Sequence, residues 1–364
     1  MRILHIAPHF GGGIAPATVG IIEATGGVHE LVNIEVTRDS VSLEILIKLG
    51  IKPNDISWLC QQNIKTSHWD LIIFHFWSTD LWLKLASVDF ICQARGLILL
   101  NHQAFKFNGR QALLVGSAFD SCVQSGFLED GLPKSWFLIP TCRSESVKPE
   151  SIASRQKKAI YIGTLDYKKL SREFFPLANH LLTQIQSIEI YGNLINKEFE
   201  VELQYNQSPT LKYCGYATDK KQILSTSMFF FYPLKSNHYG TTESSLLEAM
   251  LEGAIPLVKD NSAEAAILGK ELFSILNLDY VELSTDIDLF QNNFSQNEIS
   301  SAVHKRALEL TDIKLRVSQW RKIFENAISH YRFINLSAVC IHIVEIEKLF
   351  HGHHYYKEQG GEQN

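Results

Sequence analysis

The chain has 364 residues, 45% hydrophobic and 20% charged, a globular mix that excludes disordered and fibrous classes and suggests two domains. Against 34 basic residues stand 39 acidic ones, and the net charge of −5 divides as −2 over the first 150 residues and −3 over the rest. Neither half is basic, which argues against sequence-independent nucleic-acid binding by phosphate neutralisation.

Residues 2–7 (RILHIA) read as a first strand that ends in a Pro-His-Phe-Gly-Gly-Gly turn. This apolar run is too short for a signal peptide, and no run approaches the ~18 apolar residues of a membrane span. Six cysteines without a CxxC pair indicate neither a zinc site nor a disulfide framework, so a cytoplasmic protein is expected. A helix is predicted from Pro16 to Thr25, a strand over 31–36 and a helix over 40–49. DLIIFHFW at 70–77 and GLILLN at 96–101 are nearly all apolar, the pattern of strands buried on both faces. Residues 79–94 between them have helical spacing, and 136–140 make one more short strand. Strands alternating with helices predict a doubly wound parallel sheet.

Residues 141–157 are polar and serine-rich and form the expected linker. The alternation then restarts, with strands at 158–163, 188–191, 211–214, 228–232 and 255–258 and helices at 172–182 and 243–252. Asn261-Ser-Ala-Glu264 fits a capping box opening a further helix, and helices dominate 299–350. The expected architecture is α/β, two tandem Rossmann-like domains facing a cleft. These are 1–150 and 151–330. A terminal helix at 331–350 would pack back on the first domain, and 351–364 would form a flexible tail. Ligands of open α/β sheets sit outside the carboxyl ends of the strands.

Gly11, Gly12 and Gly13 follow a strand and precede a helix, where backbone can approach an anion closely; the run also suits a plain tight turn. It is not the GxGxxG dinucleotide fingerprint. The richest segment is PLKSNHYGTTESSLLEAMLEGAIPLV at 233–258. Leu246, Leu247, Met250 and Leu251 share one helical face, and Glu248 lies on the other with Ser244, Ser245 and Glu252. Within one helix Glu243 and Glu248 diverge by about 140°, so both can address one ligand only if Glu243 belongs to the entry loop. Glu248 also suits a solvated face, and Glu243 a favourable first-turn acid.

This segment resembles the donor-binding signature of family 4 (group 1) glycosyltransferases of the GT-B fold. Tyr161-Ile-Gly-Thr-Leu-Asp-Tyr-Lys-Lys169, Ile188-Glu-Ile-Tyr-Gly192 and Leu211-Lys-Tyr-Cys-Gly215 resemble that family's neighbouring strands in order and spacing. The resemblance is strongest over 158–268. It implies that Glu248 binds the donor ribose, that Lys169 binds the diphosphate, and that Gly240, Thr241, Thr242 and the Gly12-Gly13 loop hold diphosphate or sugar by backbone. His102, ending a buried strand, resembles the cleft histidine that contacts the donor sugar, with His75 as the alternative. Two departures stand out. The family's first glutamate falls at Gly240, with Glu243 a substitute, and its arginine falls at Thr164.

The implied activity is a metal-independent, retaining transfer of a sugar from a nucleotide diphosphate to an acceptor hydroxyl, with His102 and Glu243 as catalytic residues. No cofactor is expected, the donor being a substrate. The acceptor would be a glycan or lipid-linked molecule in polysaccharide or glycolipid assembly, which leaves peripheral membrane contact open. A GT-B sugar-nucleotide epimerase and a catalytically degenerate partner or scaffold remain as alternatives.

Overall fold

The first apolar run becomes β1 (Arg2–Ala7), buried from Ile3 onward, and α1 (Ile14–Thr25) follows it. The structure, a computed structural model, describes residues 1–10, 14–35, 44, 46–61, 68–76, 79–87, 90–103, 109–127, 131–140, 151–236, 238, 240, 242–278 and 295–351. Next come β2 (Val28–Asn33), β3 (Asn54–Asp55), α2 (Ile56–Gln61), β4 (His68–Phe76) and α3 (Thr79–Ala86). β5 (Ile91–Asn101), α4 (Gly109–Gly116), β6 (Ser121–Ser125) and β7 (Phe137–Ile139) complete this stretch. The strands line up as β3-β2-β1-β4-β5-β6-β7, each pair parallel, with the order reversing between β1 and β4.

Two expected boundaries move. β2 lies at 28–33 rather than 31–36, because its register runs from Arg2↔Val28 to Ala7↔Asn33 along β1. The helix expected over 79–94 ends at Ala86, and residues 91–94 instead extend β5. That extension is held by β13 (Arg332–Asn335), antiparallel from Arg332↔Ala94 to Asn335↔Ile91, a strand inside the region read as helical.

The first compact unit comprises Met1–Arg143 and Ile313–Asn364, so the chain returns to it at 313 rather than 331. α12 (Ile313–Ala327) explains the correction. It sets Trp320, Ile323, Phe324 and Ala327 against Ile3, Leu71, Ile73, Ile98 and Leu100 on one face of the sheet. Burying a side chain such as Ile323 or Phe324 contributes about 1.5–3 kcal/mol, which fixes the helix here. A Cβ on Gly96 would lie 2.4 Å from the Ala327 carbonyl oxygen, so this close approach requires glycine. On the opposite face α13 (Leu336–His351) packs Leu336, Cys340, Ile343 and Val344 against Leu4, Ile6, Ile72 and Phe74.

The second unit is the single stretch Ser144–Asp312. Its elements begin with β8 (Gln156–Ile162), α5 (Phe174–Leu181), β9 (Ser187–Tyr191), α6 (Lys197–Asn206), β10 (Leu211–Tyr213) and α7 (Lys220–Thr226). β11 (Ser227–Tyr232), α8 (Ser244–Leu251), β12 (Ile255–Val258), α9 (Ser262–Leu268), α10 (Lys270–Leu276) and α11 (Gln296–Leu310) follow. The sheet order is β10-β9-β8-β11-β12, all parallel, and it reverses between β8 and β11. All six residues of β11 (SMFFFY) are buried, and Phe174 packs edge-on against Tyr161 and Phe199. Both units are Rossmann-like. Of the expected linker, 141–150 lies outside the described residues, while 156–157 already belong to β8. The tail from 352 and half of the helix expected over 40–49 (residues 40–43 and 45) also lie outside them.

Candidate functional site

In the second unit the loops after the two switch-point strands are strapped together. Lys235 N–H donates to the Lys169 carbonyl at 3.0 Å, Ser171 N–H to the Pro233 carbonyl at 2.9 Å, and Leu170 bridges Leu234 antiparallel. The strap carries Lys169, on the loop after β8, to Glu243, at the entry of α8. Their Nζ and Oε2 are 2.9 Å apart, and the ammonium also lies over the Tyr232 ring at 5.5 Å. The Tyr232 hydroxyl donates to the same carboxylate.

Glu243 is the N-cap of α8 and has φ 44° and ψ 60°. It is the non-glycine residue with positive φ among those described, a conformation that costs about 1–3 kcal/mol. This backbone takes its side chain off the helix and into the buried loop, the condition under which Glu243 and Glu248 can serve one ligand. A Cβ on Gly240 would lie 1.7 Å from Glu243 Oε1. The carboxylate thus occupies the space where a side chain at position 240 would begin, which only glycine leaves open.

Burial alone would raise the pKa of Glu243, but Lys169, His238 and Tyr232 outweigh it and hold the carboxyl below its ordinary value. The Tyr232 phenol is pushed well above its own by burial and by the Glu243 charge. His238 accepts from Gly240 N–H at Nδ1 (2.9 Å), so its neutral form carries the proton on Nε2, which faces Glu264 Oε1 at 3.4 Å. Glu264 is fully buried, and neither of its oxygens has a hydrogen-bond partner among the described residues. Burial raises its pKa, with the charge of Glu243 adding to it and His238 opposing it, and the balance favours the neutral acid.

Glu264 therefore does not close the expected capping box. Asn261 does cap α9, accepting from Ala263 N–H at 2.8 Å, and its amide donates to the Lys235 carbonyl at 2.9 Å, tying α9 to the same loop. Sequence reasoning missed Tyr232, His238 and Glu264. The capping-box signal hid the last, and nothing in an apolar strand marks its final tyrosine.

Glu248 sits on the half-exposed face of α8 and pairs with Lys220 at 3.3 Å. The Thr164 carbonyl accepts from the Tyr161 hydroxyl at 2.9 Å, and Thr242 is buried beside Glu243. Gly12, Gly13 and Thr241 lie outside the described residues. Among the described residues no group of three or more His, Cys, Asp or Glu side chains is placed to hold a metal ion. No described helix is long and apolar enough to cross a membrane.

In the first unit His102 directly follows β5, its N–H bonded to the Phe76 carbonyl at 3.0 Å. His75, the alternative candidate, is its hydrogen-bond partner: His75 Nδ1 and His102 Nε2 are 3.0 Å apart with rings stacked. His5 and His29 continue the contact away from His102.

No protein-family model matches the sequence, and no curated protein matches it significantly. Solved structures do match. Alr3699/HepE from Anabaena, in complex with UDP and glucose, is 13% identical with a TM-score of 0.65, over 89% of this chain and 99% of that one. A glycosyltransferase from Rickettsia africae ESF-5 is 11% identical with a TM-score of 0.63, over 89% and 97%. AviGT4, a glycosyltransferase involved in avilamycin A biosynthesis, is 13% identical with a TM-score of 0.55, over 90% and 99%. At these identities the likeness concerns the fold. The chain has the two Rossmann-like units of the GT-B glycosyltransferases.

Proposed function

We propose that the chain is a glycosyltransferase of family 4 (group 1) type that moves a sugar from a nucleotide diphosphate donor to an acceptor hydroxyl. The observation that carries this reading is Glu243, whose carboxylate fills the space beside Gly240 and so supplies the acidic group that the donor signature asks for at that position. HepE is seen with UDP and with UDP-glucose, which favours a UDP-linked donor here.

In the reaction the bond between the anomeric carbon and the diphosphate oxygen breaks, a bond to the acceptor oxygen forms, and the acceptor proton passes to the departing diphosphate. Negative charge grows on the departing diphosphate. Lys169, paired with Glu243, and the amide groups at the start of α8 are the groups that answer it. Their charge takes the place of a metal ion. Glu248 binds the ribose hydroxyls, and His102 contacts the sugar near the reacting carbon. Retention of configuration and a role in polysaccharide or glycolipid assembly come with the family resemblance.

A thermal-shift panel of UDP, GDP, ADP and dTDP, with and without EDTA, tests this. A ligand at 100 times its Kd stabilises by about 2.7 kcal/mol. UDP is expected to give that shift in both buffers. No shift with any of the four removes the donor reading, and a shift abolished by EDTA removes the metal-independent version of it.

A further inference from the structure

Positions 5, 29, 75 and 102 are distant in sequence, yet the strand order β2-β1-β4-β5 brings a histidine to each of four adjacent strands. His29 lies near the start of β2, His5 in the middle of β1, His75 near the end of β4, and His102 just beyond β5. The row therefore climbs diagonally from the amino end of the parallel sheet to its carboxyl end, where ligands of such sheets bind. All four side chains are buried. Ring centroids are 5.2 Å apart at each of the three steps.

The hydrogen bonds have one direction, and it can be read from the far end. His29 Nε2 lies 2.9 Å from the Gly26 carbonyl, which can only accept, so Nε2 carries the proton. The Thr25 hydroxyl, 3.4 Å from the same nitrogen, gives its own proton to the Ile21 carbonyl at 2.7 Å and cannot impose the opposite order. In a neutral His29 the Nδ1 is then an acceptor, and it faces His5 Nε2 at 2.9 Å. His5 Nδ1 in turn faces His75 Nε2 at 2.9 Å, and His75 Nδ1 faces His102 Nε2 at 3.0 Å. All four rings donate through Nε2, and His29, His5 and His75 accept through Nδ1.

Neutrality is what burial enforces. It lowers the pKa of every member, that of His102 to about 3, with adjacent histidines reinforcing the effect on His5 and His75. At His29 the Met1 α-amino group adds to it, although the Gly26 bond works the other way.

We infer that His29, His5 and His75 are positioning residues: the Gly26 carbonyl orients a polarised row of neutral imidazoles that fixes His102 as the Nε2–H tautomer, with Nδ1 as its basic nitrogen. The partner of His102 Nδ1 meets it as a hydrogen-bond donor. That His102 acts on a ligand rests on the glycosyltransferase reading; the tautomer order does not.

The test is long-range 1H–15N correlation of the histidine rings at pH 7.5, with no nucleotide present. All four rings of the unaltered protein are expected as neutral Nε2–H tautomers, and an Nδ1–H tautomer or a charged ring at any of them overturns the inference. His29→Leu removes the anchor, and His102, three hydrogen bonds away, should move to a tautomer mixture. His29→Asn, whose Oδ1 can stand in for Nδ1 as acceptor, should keep the original pattern. An unchanged His102 in His29→Leu overturns the transmitted order. Should His29→Leu fail to fold, the spectra of the unaltered protein and His29→Asn still decide. Because no donor is used, failure here leaves the donor reading untouched, and absence of nucleotide binding leaves the tautomers to be read.

Discussion

Replacing Lys169 by methionine keeps much of the side-chain volume and removes the charge facing Glu243. Glu243 cannot follow its partner out, because its side chain is about 1% exposed and its backbone is held in the left-handed region. Breaking a buried ion pair by removing one member costs about 3–5 kcal/mol. The Tyr232 hydroxyl still donates and Lys169 is itself 15% exposed, so the lower end, about 3 kcal/mol, is expected. Adding Glu243→Gln removes the stranded charge, and since an uncharged replacement for a buried pair is often close to neutral, the double variant should return to within about 1 kcal/mol of the unaltered protein. The pH dependence has a definite sign. In the unaltered protein the folded pKa of Glu243 is depressed below 4.5, so its contribution is present above that value and lost as pH falls through the folded pKa. In Lys169→Met the largest effect opposing burial is lost, only His238 and Tyr232 still oppose it, and the folded pKa rises, so the deficit shrinks on acidification from pH 7 towards 4.5. Urea unfolding of the three proteins at pH 7 and pH 5 reads all of this. A double variant as unstable as the single one would refute the reasoning. Both variants should lose UDP affinity, which separates the proposed phosphate-binding role of Lys169 from its part in the fold.

Glu248→Gln should weaken donor binding ten- to hundredfold, the loss of a charge-assisted hydrogen bond contributing about 1.5–3 kcal/mol. The half-exposed Lys220 pair contributes little, so stability should hardly change. Glu252→Gln is the control, and matched affinities in titrations with UDP would remove Glu248 from the site. The histidine row predicts acid lability. Its folded pKa values lie below the unfolded 6.5, so its contribution is complete above pH 6.5 and falls as pH drops towards the folded values, about 3 for His102. Each of His5, His75 and His102 should cost up to about 1.4 kcal/mol per pH unit below 6.5. Unfolding free energies that are flat between pH 6.5 and 5.5 would contradict this.

The parallel strands were legible because burial on both faces leaves runs such as LIIFHF without polar interruption. β13 was not. Its RFIN is mostly exposed, and it is a strand only because the amino half of β5 leaves an edge for it, a fact of pairing rather than of propensity. α12 reads correctly as a helix, but its assignment to a unit depends on Trp320 and Phe324 finding a sheet face made of residues 3–100. The site divides in the same way. Lys169, Gly240 and Glu243 stand in a motif that can be read. Glu264 resembles a capping acid until the fold turns it towards His238, and the histidine row exists only once strand order is known.

The first unit is built from two stretches with the entire second unit between them. At about 5–20 residues per second, a ribosome that has finished Arg143 needs roughly 10–40 s more to deliver β13. During that interval the amino half of β5 presents unpaired backbone groups, and the sheet face that receives Trp320 is uncovered. The second unit is continuous and can close its own sheet as soon as it emerges. Order of completion is therefore the reverse of order of synthesis, and in the nascent first unit the β5 edge and the sheet face wait for partners made last.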